Sequence, residues 1–165
     1  MEKIIKSQAV LLGNNIDTDQ IYPGRFLAIV EPKEIGKHCL AGIDQETRKL
    51  VPGSIVVAGT NFGCGSSREH AVITLLNANV KAVVAESFAR IFFRNAINLG
   101  LPLITSKGIS QSVKTGQQLS IDVEAGIITI VETGETIPSE KLGDHILQII
   151  NAGGIKPLFR AKYAN

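Results

Sequence analysis

Gly53-Ser54-Ile55-Val56-Val57-Ala58-Gly59, followed by Gly63-Cys64-Gly65-Ser66-Ser67-Arg68-Glu69-His70 and then Ala71-Val72-Ile73-Thr74-Leu75-Leu76, decides the reading of this chain. The first segment is a β-branched run between glycines, which predicts a short buried strand. The last begins a helical pattern, predicted over residues 67–78. Between them, two glycines and two serines form a strand-to-helix turn, with Arg68 in the first helical turn. A helix N-terminus leaves backbone N–H groups unpaired and carries a partial positive charge. An arginine beside it makes a place for an anionic group. Hydroxyls at such a place are suited to proton chemistry on whatever is held there.

Working outward, residues 80–85 read as a second buried strand. Residues 87–98 read as a helix with Ser87 as N-cap and Gly100 just past its end. Residues 101–104 read as a further strand. This β-α-β-α-β rhythm over 53–104 predicts parallel strands with right-handed crossovers. Residues 4–12 predict a strand at the start. Residues 118–123 and 127–131 predict an antiparallel hairpin across Glu124-Ala125-Gly126. Residues 25–30 form a mostly apolar loop or short strand, and residues 32–41 a short helix. A last helix is expected over 139–152, capped by Ser139 and stopped by Gly153-Gly154. With no repeat and no low-complexity linker, residues 1–165 are expected to form a single α/β domain. That domain has a parallel βαβαβ core and a small antiparallel β layer.

Composition narrows the function. The 165 residues carry a net charge of +2, spread along the chain, which argues against nucleic acid or a membrane surface as partner. No apolar run reaches the length of a membrane span. The first residues lack the long apolar stretch of a signal peptide, so the cytoplasm is the expected compartment. Only 5% of residues are aromatic and there is no Trp, so Ile, Val, Leu and Ala must build the core. The two cysteines, Cys39 and Cys64, cannot supply the three or four thiolates of an iron–sulfur cluster. His38, His70 and His145 show no zinc-like spacing. No metal site is therefore expected on this chain.

Each local signal has a plainer reading. Ser66 to Glu69 also matches a capping box, in which Ser66 caps the helix and Glu69 reaches back. Arg68 works against the helix dipole, which points either to a ligand anion or to an ion pair with Asp17 or Asp19. Gly63-x-Gly65 lacks the third glycine and the later acidic residue of a dinucleotide site. Cys64 reads as a small residue in a tight turn, and Asn14-Asn15-Ile16-Asp17-Thr18-Asp19 as a turn held by Asn and Asp side chains. Arg90 and Arg94 share one helix face, where they line an anionic site or are simply solvated.

Three ordered motifs carry a resemblance: residues 13–19, residues 61–70 (Asn61-Phe62-Gly63-Cys64-Gly65-Ser66-Ser67-Arg68-Glu69-His70) and residues 86–100. Together they resemble the small subunits of the isopropylmalate isomerase and homoaconitase group, in the short archaeal-type form. These are similar to the swivelling C-terminal domain of aconitase. The resemblance spans residues 4 to about 155. It implies a β/β/α swivelling domain, and a hydro-lyase active only with a large subunit, in a heterodimer or heterotetramer. It also implies a 4Fe–4S cluster on that partner, with none bound here. Ser66 maps to the family's catalytic base, Arg68 to the residue that binds a substrate carboxylate, and Ser67 between them is expected to bind substrate too.

The implied reaction is elimination of water from a small hydroxy diacid and its re-addition at the neighbouring carbon. In the family, substrate choice is associated with the loop that is Arg25, Phe26, Leu27, Ala28 and Ile29 here. Homoaconitase-like relatives place an arginine where this chain has Ala28. An apolar loop favours isopropylmalate, in leucine biosynthesis. Dimethylmalate and homoaconitate dehydratases are the other members to weigh. A reading of a different class, on the same turn, is a stand-alone anion-binding regulatory module.

Overall fold

The computed structural model describes residues 4–66 and 68–163. In chain order the elements are β1 (Ile4–Leu11), α1 (Thr18–Ile21), a 3-10 turn (Gly24–Phe26), α2 (Pro32–Lys37), α3 (Gln45–Arg48), β2 (Ile55–Ala58) and α4 (His70–Asn77). There follow β3 (Ala82–Ala85), α5 (Arg90–Asn98), β4 (Leu103–Thr105), α6 (Ile109–Ser112), β5 (Gln118–Asp122), β6 (Ile127–Ile130), β7 (Thr136–Pro138), α7 (Asp144–Asn151) and α8 (Ile155–Tyr163).

The expected parallel core and antiparallel addition are both present, joined in one seven-stranded sheet of order β4-β3-β2-β1-β5-β6-β7. β1 is the joint. Its N-terminal half pairs antiparallel with β5, from Ile4 opposite Asp122 to Gln8 opposite Gln118. Its C-terminal half pairs parallel with β2, from Ala9 opposite Ile55 to Leu11 opposite Val57. β2 (Ile-Val-Val-Ala) and β3 (Ala-Val-Val-Ala) are buried at every residue. Parallel strands are covered on both faces, so continuous β-branched runs suit them and alternation does not. β7 ends in Pro138 at the sheet's edge, where a missing N–H breaks no ladder.

Several helix limits differ from the sequence reading. α4 begins at His70 rather than residue 67, and Glu69 in its cap position makes no side-chain cap. α5 begins at Arg90, because the Ser87 hydroxyl accepts the Asn61 amide, at 2.8 Å, instead of capping the helix. α7 begins at Asp144, and the buried Ser139 hydroxyl finds no partner among the described residues. Gly153 and Gly154 do not end the helical region. Both take positive φ and turn the chain into α8. α2 stops at Lys37, since the chain turns so that the Leu40 amide donates to the Ile21 carbonyl at 2.7 Å and Leu40 is buried. Residues 25–30 form no strand.

Parallel strands deliver their loops to one side, and the C-terminal ends of such strands are where α/β folds place ligands. Here β1, β2 and β3 all lead there. β1 runs into Ile16–Asp19, β2 into the glycine turn, and β3 into the segment before α5. Phe62 anchors the convergence. It is fully buried, and its ring meets Phe88 and Phe92 edge-on at centroid distances of 6.1 and 5.4 Å. Such pairs are worth about 0.5–1.5 kcal/mol each beyond area burial. The Phe62 amide also donates to the Ser87 carbonyl, and Ala89 returns a bond to Phe62.

Candidate active site at the glycine turn

The glycine turn is tied down from both sides. The Gly63 amide donates to the Ile16 carbonyl at 2.8 Å, and the Thr18 amide donates to the Cys64 carbonyl at 2.8 Å. Gly63 and Gly65 have φ of +85° and +97°, a region open to glycine and costly for other residues. A Cβ on Gly63 would overlap the Phe92 ring. These two left-handed steps lay the 63–66 backbone against α1 and present Ser66 at the surface, four residues before α4 starts.

The Ser66–Glu69 capping box is therefore not formed. A capping box does form at the neighbouring turn. The Asp17 carboxylate accepts the Gln20 amide at 2.7 Å, and the Gln20 side chain accepts the Asp17 amide at 3.0 Å. The Ser66 hydroxyl instead meets the Thr18 hydroxyl at 3.3 Å. Thr18 is almost fully buried, at 2% exposure.

Ser66 and Arg68 line one cavity of about 230 Å³ with Thr18, Arg90 and Asn95. Gly63, Gly65, Ala89, Ile91 and Phe92 complete its wall. Arg68 Nη1 lies 3.3 Å from Asp19 Oδ1, which also accepts the Gly24 amide at 3.1 Å. Asp19 is 70% exposed, so the pair is a solvent-facing one and not a buried bridge. The arrangement offers a hydroxyl and two guanidiniums over an apolar floor, a set suited to a small acid.

Ser67 lies outside the described residues. Arg25, Phe26, Leu27, Ala28 and Ile29 do not line the cavity. They lie beside it on a ladder of rings: His70 stacks on Tyr22 at 5.7 Å, Tyr22 meets Phe26 at 6.0 Å, and Phe26 stacks on His38 at 3.9 Å. The Tyr22 hydroxyl donates to the Phe26 carbonyl at 2.7 Å. The Arg25 guanidinium lies over the Phe26 ring, 4.6 Å from its centroid. Leu27 and Ala28 are exposed.

Sequence reading does not single out Thr18 or Asn95 as site residues. Arg90 carries a signal, its i,i+4 spacing from Arg94, but only Arg90 faces the cavity. Among the described residues no three His, Cys, Asp or Glu side chains come together as a metal site. Cys39 is buried, which pushes its thiol pKa up to about 12 against a hydrogen bond with Thr74. Cys64 sits in the bridge to Asp17.

Comparison with known proteins matches this architecture closely. The isopropylmalate/citramalate isomerase small subunit of Methanocaldococcus jannaschii is 47% identical over 99% of this chain and 98% of its own length. The chain belongs to the isopropylmalate dehydratase small-subunit family. The 3-isopropylmalate dehydratase small subunit 1 of Methanopyrus kandleri is 45% identical over 97% of this chain and 95% of its own. The crystal structure of 3-isopropylmalate dehydratase from Methanocaldococcus jannaschii superposes with a TM-score of 0.91 at 42% identity, covering 98% of this chain and 96% of that one. The aconitase C-terminal domain model matches residues 45–108, which hold the whole glycine turn and α5. Aconitase X from Thermococcus kodakaraensis shares the fold alone, with a TM-score of 0.52 at 18% identity over 83% of this chain and 91% of that one. In this chain the glycine turn with Ser66 and Arg68 stands at the end where the parallel strands β1, β2 and β3 finish.

Proposed function

We propose that this chain is the small subunit of a hydro-lyase that isomerises isopropylmalate, and that its cavity is one half of a site completed by a large subunit. The observation that carries the reading is the single cavity holding Ser66, Arg68 and Arg90 in a chain so similar to isopropylmalate isomerase small subunits. Ser66 is the base, and Arg68 takes a substrate carboxylate.

Ser66 Oγ, in its deprotonated form, takes the proton from the carbon beside the carboxylate. The C–H electron pair becomes the double bond, and the hydroxyl on the adjacent carbon leaves with the C–O pair. The reverse addition at the other carbon completes the isomerisation. Arg68 neutralises the carboxylate and so acidifies that C–H bond. Its ion pair with the exposed Asp19 is weak enough to yield to a substrate carboxylate.

The donor set on this chain does not fit a 4Fe–4S cluster. Cys39 is sealed in the core, Cys64 belongs to the turn, and no three His, Cys, Asp or Glu side chains gather among the described residues. The reading therefore assigns the cluster, and its Lewis-acid chemistry, to the large subunit. The apolar character of Leu27, Ala28 and Ile29 supports an aliphatic substituent on the substrate. The citramalate in the name of the Methanocaldococcus jannaschii relative makes a methyl-bearing diacid the second substrate to assay. No described helix is long and apolar enough to cross a membrane, and the reading implies a cytoplasmic enzyme.

The test is reconstitution. The chain alone should show no dehydration, followed by the ultraviolet absorbance of the unsaturated diacid, and addition of the large subunit should restore it. Ser66→Ala lowers turnover by at least about 10²-fold while the subunits still associate. Full turnover by the Ser66→Ala complex would remove Ser66 from the role of base.

A further inference from the structure

A serine hydroxyl is a poor base at neutral pH, and the sequence offers the α4 N-terminus to correct it. The structure does not use that device, because α4 starts at His70 and its cap position is Glu69. Among the described residues, the group that reaches the Ser66 hydroxyl is Thr18, through the 3.3 Å contact between the two oxygens. We infer that Thr18 is the positioning residue for Ser66: its hydroxyl holds the serine side chain toward the cavity and donates a hydrogen bond to Ser66 Oγ when that oxygen is deprotonated. This rests on Ser66 being the base.

Five features fit the role. Thr18 lines the same cavity as Ser66, so the pair meets at the site itself and not behind it. Thr18 is buried, so water does not compete for its hydroxyl as it would at an exposed position. Its backbone is held twice, by its amide to the Cys64 carbonyl at 2.8 Å and by its carbonyl accepting the Tyr22 amide at 2.8 Å. As a β-branched residue it has few side-chain rotamers, so a held backbone means an aimed hydroxyl. The glycine turn is shaped for the approach: a Cβ on Gly65 would stand 3.2 Å from Thr18 Oγ1.

The chemistry distinguishes Thr18 from its neighbours. A hydroxyl donates to an alkoxide and accepts from a hydroxyl, so Thr18 can follow Ser66 through both protonation states without losing its own proton. The charged groups around the pair are Arg68 from the same turn, Arg90 from α5, and Asp17 and Asp19 on either side of Thr18. The arginines favour the deprotonated serine and the carboxylates oppose it. A neutral donor in direct contact does not depend on their balance.

The experiment compares Thr18→Val, Thr18→Ser and Ser66→Ala in the reconstituted two-subunit complex, with isopropylmalate as substrate. Thr18→Val keeps the shape and removes the donor. It should lower kcat about ten- to a hundredfold, leave KM within about twofold, and move the acidic limb of the kcat–pH profile to higher pH. Thr18→Ser restores the hydroxyl and should bring kcat back to within a few-fold of the unaltered chain. Should Thr18→Val fail to fold, Thr18→Ala against Thr18→Ser gives the same comparison. The inference is overturned if the hydroxyl-free variants keep kcat and the pH limb, if they raise KM alone, or if Thr18→Ser is as slow as they are. An inactive Ser66→Ala beside a fully active Thr18→Val rejects Thr18 and keeps the base. Full activity of Ser66→Ala rejects the base, and with it the Thr18 role.

Discussion

One carboxylate oxygen of Asp19 joins two parts of the site. Asp19 Oδ1 lies 3.3 Å from Arg68 Nη1 and also accepts the Gly24 amide at 3.1 Å. The guanidinium proposed to bind substrate is thus tethered to the first residue of the loop that leads to Arg25–Ile29. Asp19→Ala should release both. Because the pair is solvent-facing, it contributes only about 0.2–1 kcal/mol to stability. The expected result is a melting temperature changed by no more than a few degrees, with a several-fold higher KM for the diacid in the reconstituted complex. A large melting shift with unchanged KM would make Asp19 a purely structural residue.

Gly63 should resist any side chain. It combines a φ of +85° with a Cβ position already filled by the Phe92 ring. Left-handed strain and overpacking each cost about 1–3 kcal/mol, so Gly63→Ala is expected to lose about 3 kcal/mol in urea denaturation. Gly13→Ala is the control. No atom lies within 4 Å of its would-be Cβ, and the change should stay within about 0.5 kcal/mol.

The two cysteines should label at very different rates. Cys39 is buried and its thiol is pushed up to about 12, so it stays protonated and shielded from alkylation at pH 8. Cys64 is only half-buried. Iodoacetamide followed by peptide mass analysis should mark Cys64 in the folded chain and Cys39 only after denaturant is added.

The same thiol sets a pH dependence. Between the ordinary thiol pKa of about 8.5 and the folded value of about 12, the unfolded chain has lost the Cys39 proton and the folded chain keeps it. The unfolded state then binds fewer protons, so stability falls as pH rises through that window, by at most about 1.4 kcal/mol per pH unit. Denaturation midpoints at pH 8 and pH 10 should fall less for Cys39→Ala than for the unaltered chain. Equal slopes would contradict the burial argument.

Thr74 is a buried side chain away from the site. It donates to the Ile35 carbonyl at 2.7 Å, fastening α2 to α4. Thr74→Val keeps the volume and leaves that carbonyl only the His38 amide, at 3.1 Å, which should cost about 0.5–1.5 kcal/mol in equilibrium unfolding. No loss would mean that the His38 amide alone satisfies the carbonyl.

Much of the architecture was legible from residue order. The continuous apolar runs at 55–58 and 82–85, each bounded by turn formers, can only be satisfied by burial on both faces, and that forces parallel strands with helices between them. The hairpin at Gly126 was equally plain, since it depends on neighbouring residues. Ser66 and Arg68 could be marked because the family resemblance and the glycine spacing coincide on one turn.

Helix starts were less legible. A Ser followed by Glu three residues later is a capping box only if the backbone between them is helical. The positive φ of Gly63 and Gly65 turned the chain toward α1 instead, and the box formed at Asp17 and Gln20. Ser87 and Ser139 failed as caps for a related reason: each hydroxyl, or the backbone that carries it, was placed by a contact with a distant strand or loop. The company that Ser66 keeps is the clearest case. Thr18 is 48 residues away. Nothing local brings them together. The parallel register of Ala9 with Ile55 sends the loops after β1 and β2 out on the same side, and the hydroxyls meet there. The sequence alone determined the main strands and the helices between the parallel ones, because burial and turn chemistry act over a few residues. Only the tertiary structure decided which side chain polarises which, because that depends on where two separate stretches of backbone cross.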